Sequence, residues 1–345
     1  MRYRMLGRTG VRVSPLCLGA MMFGSWGNPD HDESIAVIHA ALDAGLNFID
    51  TADVYSAGES EEIVGRALAG RRDDVVLATK FFGPMGDDVN MRGGSRRWVI
   101  RECEASLRRL GTDYIDLYQI HRPDPRIDIE ETLGALTDLV RDGKVRLLGS
   151  STFPPSAIVE AQWVAERRGR ERFVCEQPPY SILVRGIEAD VLPTCQRYGM
   201  GVIPWSPLGG GWLSGKWRLD APESDRTSRR AERLPERYDL TRPENQRKLV
   251  AADALAVLAD EAGISLVELA VAWVISHPAV TAAIIGPRTM QQFTSQLGAL
   301  DVKLDDDLLD RIDEIVPPGT NFSFADAGYA PPSIADPAAR RRSAQ

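Results

Sequence analysis

Four side chains able to carry or steady a proton stand at the ends of short apolar runs. Asp50 and Tyr55 fall within Asn47-Phe48-Ile49-Asp50-Thr51-Ala52-Asp53-Val54-Tyr55, Lys80 closes Val75–Lys80, and His121 closes Tyr114–His121. Singly, each has a plain structural explanation: a lysine snorkelling from a strand end, a loop aromatic, a satisfied core histidine. Jointly they describe a proton-transfer site. Hydride reduction of a carbonyl needs a proton donor for the developing alkoxide, and a phenol of pKa about 10 donates better when a neighbouring cation eases its ionisation. Lys80 would supply that cation. Asp50 or Asp53 would supply its counter-charge, and a neutral His121 would hydrogen-bond the substrate oxygen.

For these residues to meet, the runs that carry them must be adjacent strands. Eight such runs are legible: Val13–Gly19, Asn47–Asp53, Val75–Lys80, Tyr114–His121, Val145–Ser150, Phe173–Gln177, Gly201–Trp205 and Ala282–Gly286. Between them lie amphipathic stretches over Ser34–Ala44, Glu59–Leu68, Arg97–Leu110, Ile129–Val140, Ser156–Glu166, Ile187–Tyr198 and Leu249–Ala262. Strictly alternating strands and helices predict an α/β fold, a (β/α)8 TIM barrel whose active site lies at the C-terminal strand ends. An open doubly wound sheet is the competing fold, but Leu18-Gly19-Ala20-Met21-Met22 lacks the Gly-x-Gly-x-x-Gly turn expected after its first strand. Met1–Arg12 reads as an N-terminal β-hairpin capping the barrel floor, and Ile264–Ser276 and Asp306–Val316 as extra helices. Arg218–Glu244, charged and without a clean period, reads as a mobile functional loop. Residues 1–320 are expected to form one barrel domain and 321–345 a C-terminal tail that frays from Ala325.

The 345 residues carry a formal net charge of -8, which argues against a nucleic-acid partner because phosphate binding needs a basic stripe. Cys17, Cys103, Cys175 and Cys195 lie far apart with no paired spacing, as in a reducing cytoplasm. No N-terminal apolar region resembles a signal peptide and no stretch reaches the roughly 18 apolar residues of a membrane span, so a cytoplasmic location without a membrane partner is expected. On that reading the Asn321-Phe322-Ser323 triplet carries no weight. His31, His39, His121 and His277 lack ligand spacing, so no metal is expected. Gly210-Gly211-Trp212-Leu213-Ser214-Gly215-Lys216-Trp217 meets most of a P-loop pattern, but Trp217 stands where Ser or Thr is required. Nothing in the sequence specifies an oligomeric state.

On the Asp50, Tyr55, Lys80 and His121 pattern, on Gly58-Glu59-Ser60-Glu61-Glu62 and on the Gly19-Ala20-Met21 and Gly286 regions, the sequence resembles the aldo-keto reductase family, in the branch that includes potassium-channel β subunits. The resemblance implies that Asp50 is the carboxylate beside Lys80. It also implies an oxidoreductase with a nicotinamide cofactor extended across the barrel mouth. Carried over, Gly19, Ala20 and Met21 would line the cofactor site, Ser151, Thr152 and Gln177 would hold the carboxamide, and Trp205 would stack on the nicotinamide. Thr152 stands where many members have Asn. Ser206, Leu208, Gly210 and Lys216 would form the pyrophosphate and ribose loop. Gly286, Arg288, Gln292 and Gln296 would hold the adenosine end, with Arg288 on a 2′-phosphate, so NADPH is expected over NADH. Ser295 replaces the Glu that relatives often direct at the adenine. Met21, Met22, Phe23, Trp26, Phe81 and Phe82 are expected at the pocket mouth, for a small apolar or aromatic carbonyl substrate. Two other readings are a cofactor-sensing regulatory subunit with vestigial activity and an aldolase using Lys80 as a Schiff-base amine, the latter disfavoured by the adjacent carboxylate.

Overall fold

In the computed structural model, which describes residues 1–341 apart from 223, 225, 227 and 228, Ser14-Pro15 divides the first apolar run in two. Proline has no amide to give a ladder. Arg12–Val13 therefore pairs backward, as β2, with β1 (Arg4–Met5) in an antiparallel hairpin, and the first barrel strand, β3, begins only at Leu16 and runs to Gly19. Leu6 and Val13 of the hairpin join the apolar cluster inside the barrel, which plugs its floor as expected.

The remaining strands are β4 (Phe48–Asp50), β5 (Val76–Phe81), β6 (Ile115–Ile120), β7 (Val145–Ser151), β8 (Phe173–Gln177), β9 (Gly201–Val202) and β10 (Ala283–Ile285). They form one eight-stranded parallel sheet in the order β10-β3-β4-β5-β6-β7-β8-β9. The seam between β9 and β10 closes through the carbonyls of Val202 and Pro204, which accept from the amides of Thr281 (2.8 Å) and Ile284 (2.9 Å). The strand expected over Gly201–Trp205 is shorter than its apolar run because Pro204 cannot donate. All eight expected strands exist, and the barrel fold holds.

Side chains alternate along each strand with a period of two. Phe48, Ala78, Leu117 and Cys175 fill an inner apolar layer together with Cys17, Ile203 and Ala282. Two residues further along the same strands stand Asp50, Lys80, Gln119 and Gln177, all buried. A polar layer thus rests directly on an apolar one. The intervening side chains, such as Ile49, Leu77, Tyr118 and Leu148, face the helical ring and its larger apolar core.

The helical ring comprises α1 (His31–Asp43), α2 (Glu59–Ala67), α3 (Arg96–Leu110), α4 (Ile129–Arg141), α5 (Pro155–Arg168), α6 (Val191–Tyr198), α7 (Arg229–Arg233), α8 (Pro243–Glu261), α9 (Leu266–Ser276), α10 (Met290–Leu297) and α11 (Asp306–Ile315). Local chemistry starts and stops them. Ser95 and Asp128 cap α3 and α4, Ser265 and Glu268 form a reciprocal capping box at α9, and Gly169 ends α5 in the left-handed conformation. The expected helix over Ile187–Tyr198 is shorter because Glu188 turns back to accept from Tyr180 and Arg185, leaving a separate 3-10 turn at Gly186–Glu188.

Arg218–Glu244 is more structured than expected. It contains α7 and the turn Pro235–Arg237, and it is anchored by Tyr238, which stacks in an aromatic cluster with Trp212 and Trp217. Positions 223, 225, 227 and 228 of this stretch lie outside the described residues. The start of the tail is also tied down. Asn321 accepts from the Gly186 amide, and Asp326 pairs with Arg237 at 2.9 Å and with the buried Lys248. Of the expected tail, positions 342–345 lie outside the described residues. Among the described residues no helix is long and apolar enough to cross a membrane.

Candidate active site

Lys80 is fully buried, and its ammonium gives all three hydrogens to protein acceptors: Asp50 Oδ2 at 2.6 Å, the Thr51 carbonyl at 2.7 Å and the Tyr55 hydroxyl at 3.2 Å. The other oxygen of Asp50 accepts from Gln119 at 3.1 Å and Gln177 at 2.9 Å. Asp50 is thereby the partner of Lys80. Asp53 lies elsewhere, because β4 ends at Asp50 and the strand alternation stops there. The Asp53 carboxyl accepts from the Val54 amide, and burial beside Glu61 and Glu102 pushes its pKa well up. His121, whose amide bonds the Phe81 carbonyl, presents its ring edge-on to Tyr55 with centroids 5.7 Å apart. All four expected side chains meet at the C-terminal rim.

Charge states follow from this packing. Burial pulls the Lys80 pKa down, but Asp50 and Tyr55 outweigh it and the amine stays protonated. Burial also raises the Tyr55 pKa by more than Lys80 lowers it, so the net shift is upward. The expectation that Lys80 eases phenol ionisation holds for the direction of its pull, but desolvation is the larger effect. Burial, with Lys80 and Arg122 adding to it, drives the His121 pKa well down, so its imidazole is neutral.

Tyr55 sits on a strained turn. Ser56 and Ala57 have φ of 50° and 55°, and Gly58, at 99°, completes three successive left-handed residues before α2. Such conformations persist only where surrounding structure over-determines them. Here a buried ionic cluster lies beneath the turn: Arg109 of α3 donates to Glu61 at 2.6 Å and to Glu102 at 2.5 Å, and Thr79 donates to Glu61 at 2.6 Å. A Cβ on Gly58 would stand 2.7 Å from the Arg109 side chain, so only glycine fits against that cluster.

The residues expected to hold a cofactor ring the same rim. Gly19 ends β3, and the Ala20 amide that follows donates to the Asp50 carbonyl, with Met21 half-buried beside them. Ser151 donates to the Gln177 carbonyl at 2.9 Å, and Thr152 adopts φ of 60°. Left-handed backbone strains a β-branched residue. Trp205 and Gln296 each bury a polar atom, Nε1 and Oε1, without a partner among the described residues. Ser206, at φ 59°, accepts from Arg230, and the Gly210 carbonyl accepts from Tyr238. Leu208 is half-buried and Lys216 is exposed, while residues 217–222 directly after it form no helix and Trp217 is buried, which removes the P-loop reading. Gly286 is exposed, Arg288 has no carboxylate partner among the described residues, and Gln292 accepts from the Arg288 amide at 2.9 Å.

Phe23 and Phe81 do not line the mouth, contrary to expectation. Both are fully buried in the outer core, because strand alternation turns Phe81 away from the Lys80 face. Trp26 does face the site, its ring 6.0 Å from that of Tyr55. Sequence reasoning missed Gln119, although its place two residues before His121 and two after Leu117 puts it on the inner face. It also missed Arg230 and Arg109, whose roles depend on distant contacts. A cavity of about 540 Å³, lined by Arg4, Arg8, Gly199 and His277 among others, opens on the barrel floor with no acidic side chain in its lining. It is at the wrong end for this chemistry.

A closed parallel barrel with a buried Lys–Asp pair under a phenol and an imidazole defines a barrel enzyme with a proton-transfer centre. The aldo/keto reductase family profile matches residues 15–317, and the chain belongs to that family. It is 40% identical to the uncharacterized oxidoreductase YrpG of Bacillus subtilis (strain 168), across 92% of this chain and 96% of the relative. A probable voltage-gated potassium channel subunit beta of Oryza sativa subsp. japonica is 37% identical, across 92% and 97%. Versiconal hemiacetal acetate reductase of Aspergillus parasiticus is 34% identical, across 91% and 96%. The protein is an NAD(P)H-dependent oxidoreductase acting on carbonyl and alcohol groups.

Proposed function

We propose that the protein reduces a small aldehyde or ketone to its alcohol with NADPH, and that Tyr55 donates the proton. The observation that carries this is the Lys80 ammonium, held by Asp50 and Thr51 so that its third hydrogen meets the Tyr55 hydroxyl. A bound nicotinamide supplies the hydride. Tyr55 stays protonated through neutral pH, and Lys80 steadies the phenolate that forms as the proton leaves. Neutral His121 donates to the carbonyl oxygen. Asp50, fixed by Gln119 and Gln177, keeps Lys80 charged and oriented.

The rim fits a nicotinamide dinucleotide. The orphaned Nε1 of Trp205 and Oε1 of Gln296, with Arg230 and Arg288, neither of which has a carboxylate ion-pair partner among the described residues, call for a ligand with acceptors, donors and phosphates. Ser151, Thr152 and Gln177 would take the carboxamide, with Trp205 against the ring and Gly19, Ala20 and Met21 beside it. Ser206, Leu208, Gly210 and Lys216 would hold the pyrophosphate, joined by Arg230. Gly286, Arg288, Gln292 and Gln296 would hold the adenosine end, Arg288 selecting the 2′-phosphate. Four buried, unpaired cysteines support a cytoplasmic location.

Tyr55→Phe is expected to abolish steady-state reduction of every carbonyl tested while NADPH binding, followed by its fluorescence, is retained. Wild-type rates in that variant would overturn the proton-donor role. In the same assays Arg288→Leu should weaken NADPH by about tenfold or more and leave NADH nearly unchanged.

A further inference from the structure

Arg122 directly follows His121 at the end of β6, and its Nη1 donates to the His121 carbonyl at 2.5 Å. That is its one hydrogen bond among the described residues, and no carboxylate pairs with it. Its surroundings make this unusual. Arg126 and Arg237, also near the mouth, bind Asp124 and Asp326. Glu176, the carboxyl whose charge reaches Arg122, is engaged by Ser150 and the Phe153 amide, and burial lifts its pKa to about 7. A guanidinium does not shed its proton, so desolvating it without a counter-ion is costly. A ligand that brings an anion relieves that cost.

The cofactor does not bring it there. The residues proposed to hold its phosphates follow β9 and β10, whereas Arg122 follows β6, on the Tyr55 and His121 side, and its charge acts on both of those groups. The His121 carbonyl takes Nη1 alone, which leaves the Nε–Nη2 edge of the guanidinium without a partner among the described residues. That edge offers two parallel N–H groups, the match for a planar carboxylate. At the same strand ends Trp26 packs with its ring 6.0 Å from that of Tyr55, and Met21, Met22 and Phe82, which follow β3 and β5, are partly buried apolar side chains.

We propose that Arg122 recognises a carboxylate on the substrate, so that the protein prefers carbonyl compounds with an apolar body and a carboxylate group. This rests on the reductase reading. It refines the expected apolar or aromatic carbonyl by adding a charge.

The test compares 4-carboxybenzaldehyde with methyl 4-formylbenzoate, which share ring and carbonyl and differ in charge. Wild-type protein should favour the acid in kcat/KM by about tenfold or more, and Arg122→Met should reduce the acid-over-ester ratio by about 10- to 100-fold. Arg122→Lys should restore part of the ratio, since a point charge attracts the carboxylate without the fork. A second readout needs no turnover: benzoate should raise the melting temperature of NADP-saturated wild-type protein more than benzamide does, and the difference should vanish in Arg122→Met. A wild-type ratio near one, a ratio unchanged in Arg122→Met, or equal shifts by benzoate and benzamide would overturn the inference. Absence of turnover with both aldehydes, alongside the benzoate shift, would count against the reductase reading alone.

Discussion

At the scale of residues, the site works by separating the protonation states of neighbouring groups. Lys80 is kept charged by Asp50, whereas His121, a few ångströms away, is kept neutral by burial and by the positive charges of Lys80 and Arg122. This has a consequence for stability. The folded His121 pKa is depressed, so in acid the unfolded chain takes up a proton that the folded chain refuses. Stability is full above the unfolded value of about 6.5 and falls as pH drops toward the folded value, by up to about 1.4 kcal/mol per pH unit. Urea titrations of the wild type and His121→Gln from neutral pH downward should show a shallower acid slope in the variant. Identical slopes would mean that His121 accepts a proton in the fold.

The elements hold this pattern through one strained turn. Tyr55 is not on its strand, and three left-handed residues separate it from α2. Arg109, reaching from α3, is the prop beneath them, bound to two carboxylates on two helices. Burial raises the Glu102 pKa against the pull of Arg109, so removing that guanidinium leaves two buried carboxyls without a cation. Arg109→Met should cost about 3–5 kcal/mol in urea unfolding. Because the turn carries Tyr55, kcat should fall by more than KM rises. A variant with stability and kcat of the wild type would show that the turn holds itself.

Across the whole molecule, the barrel mouth is assembled from segments far apart in the chain. The Arg218–Glu244 stretch brings Arg230 to Ser206 and Arg237 to Asp326, and the tail crosses over Trp205, where a Cβ on Gly328, itself at φ 75°, would stand 2.7 Å from the indole. Asp326 fastens tail to insertion and also neutralises Lys248, which is 1% exposed. Asp326→Ala should therefore destabilise the fold by about 3–5 kcal/mol and expose the tail to limited proteolysis. Unchanged cleavage would show that the tail is held by packing alone.

The strand count, the barrel class and the rim positions of Asp50, Lys80 and His121 were legible in the sequence because each rests on a local rule, whereas Tyr55 lies beyond its strand on a turn propped by distant contacts. Alternation with a period of two puts Lys80 over Ala78 and Asp50 over Phe48, and Pro15, Pro204 and the helix caps act within a few residues of themselves. The same rule would have reached Gln119. It could not choose between Asp50 and Asp53, because the strand stops at Asp50 and parity has no meaning beyond it. That choice was made by tertiary contacts: Gln177 reaches Asp50 from 127 residues away, and Asp53 is turned into the cluster of Glu61, Glu102 and Arg109. The opening expectation about Tyr55 and Lys80 divides in the same way. Residue types determined that a phenol and an amine could share a proton, whereas the net direction of the phenol's shift was decided by burial, a property of the folded whole.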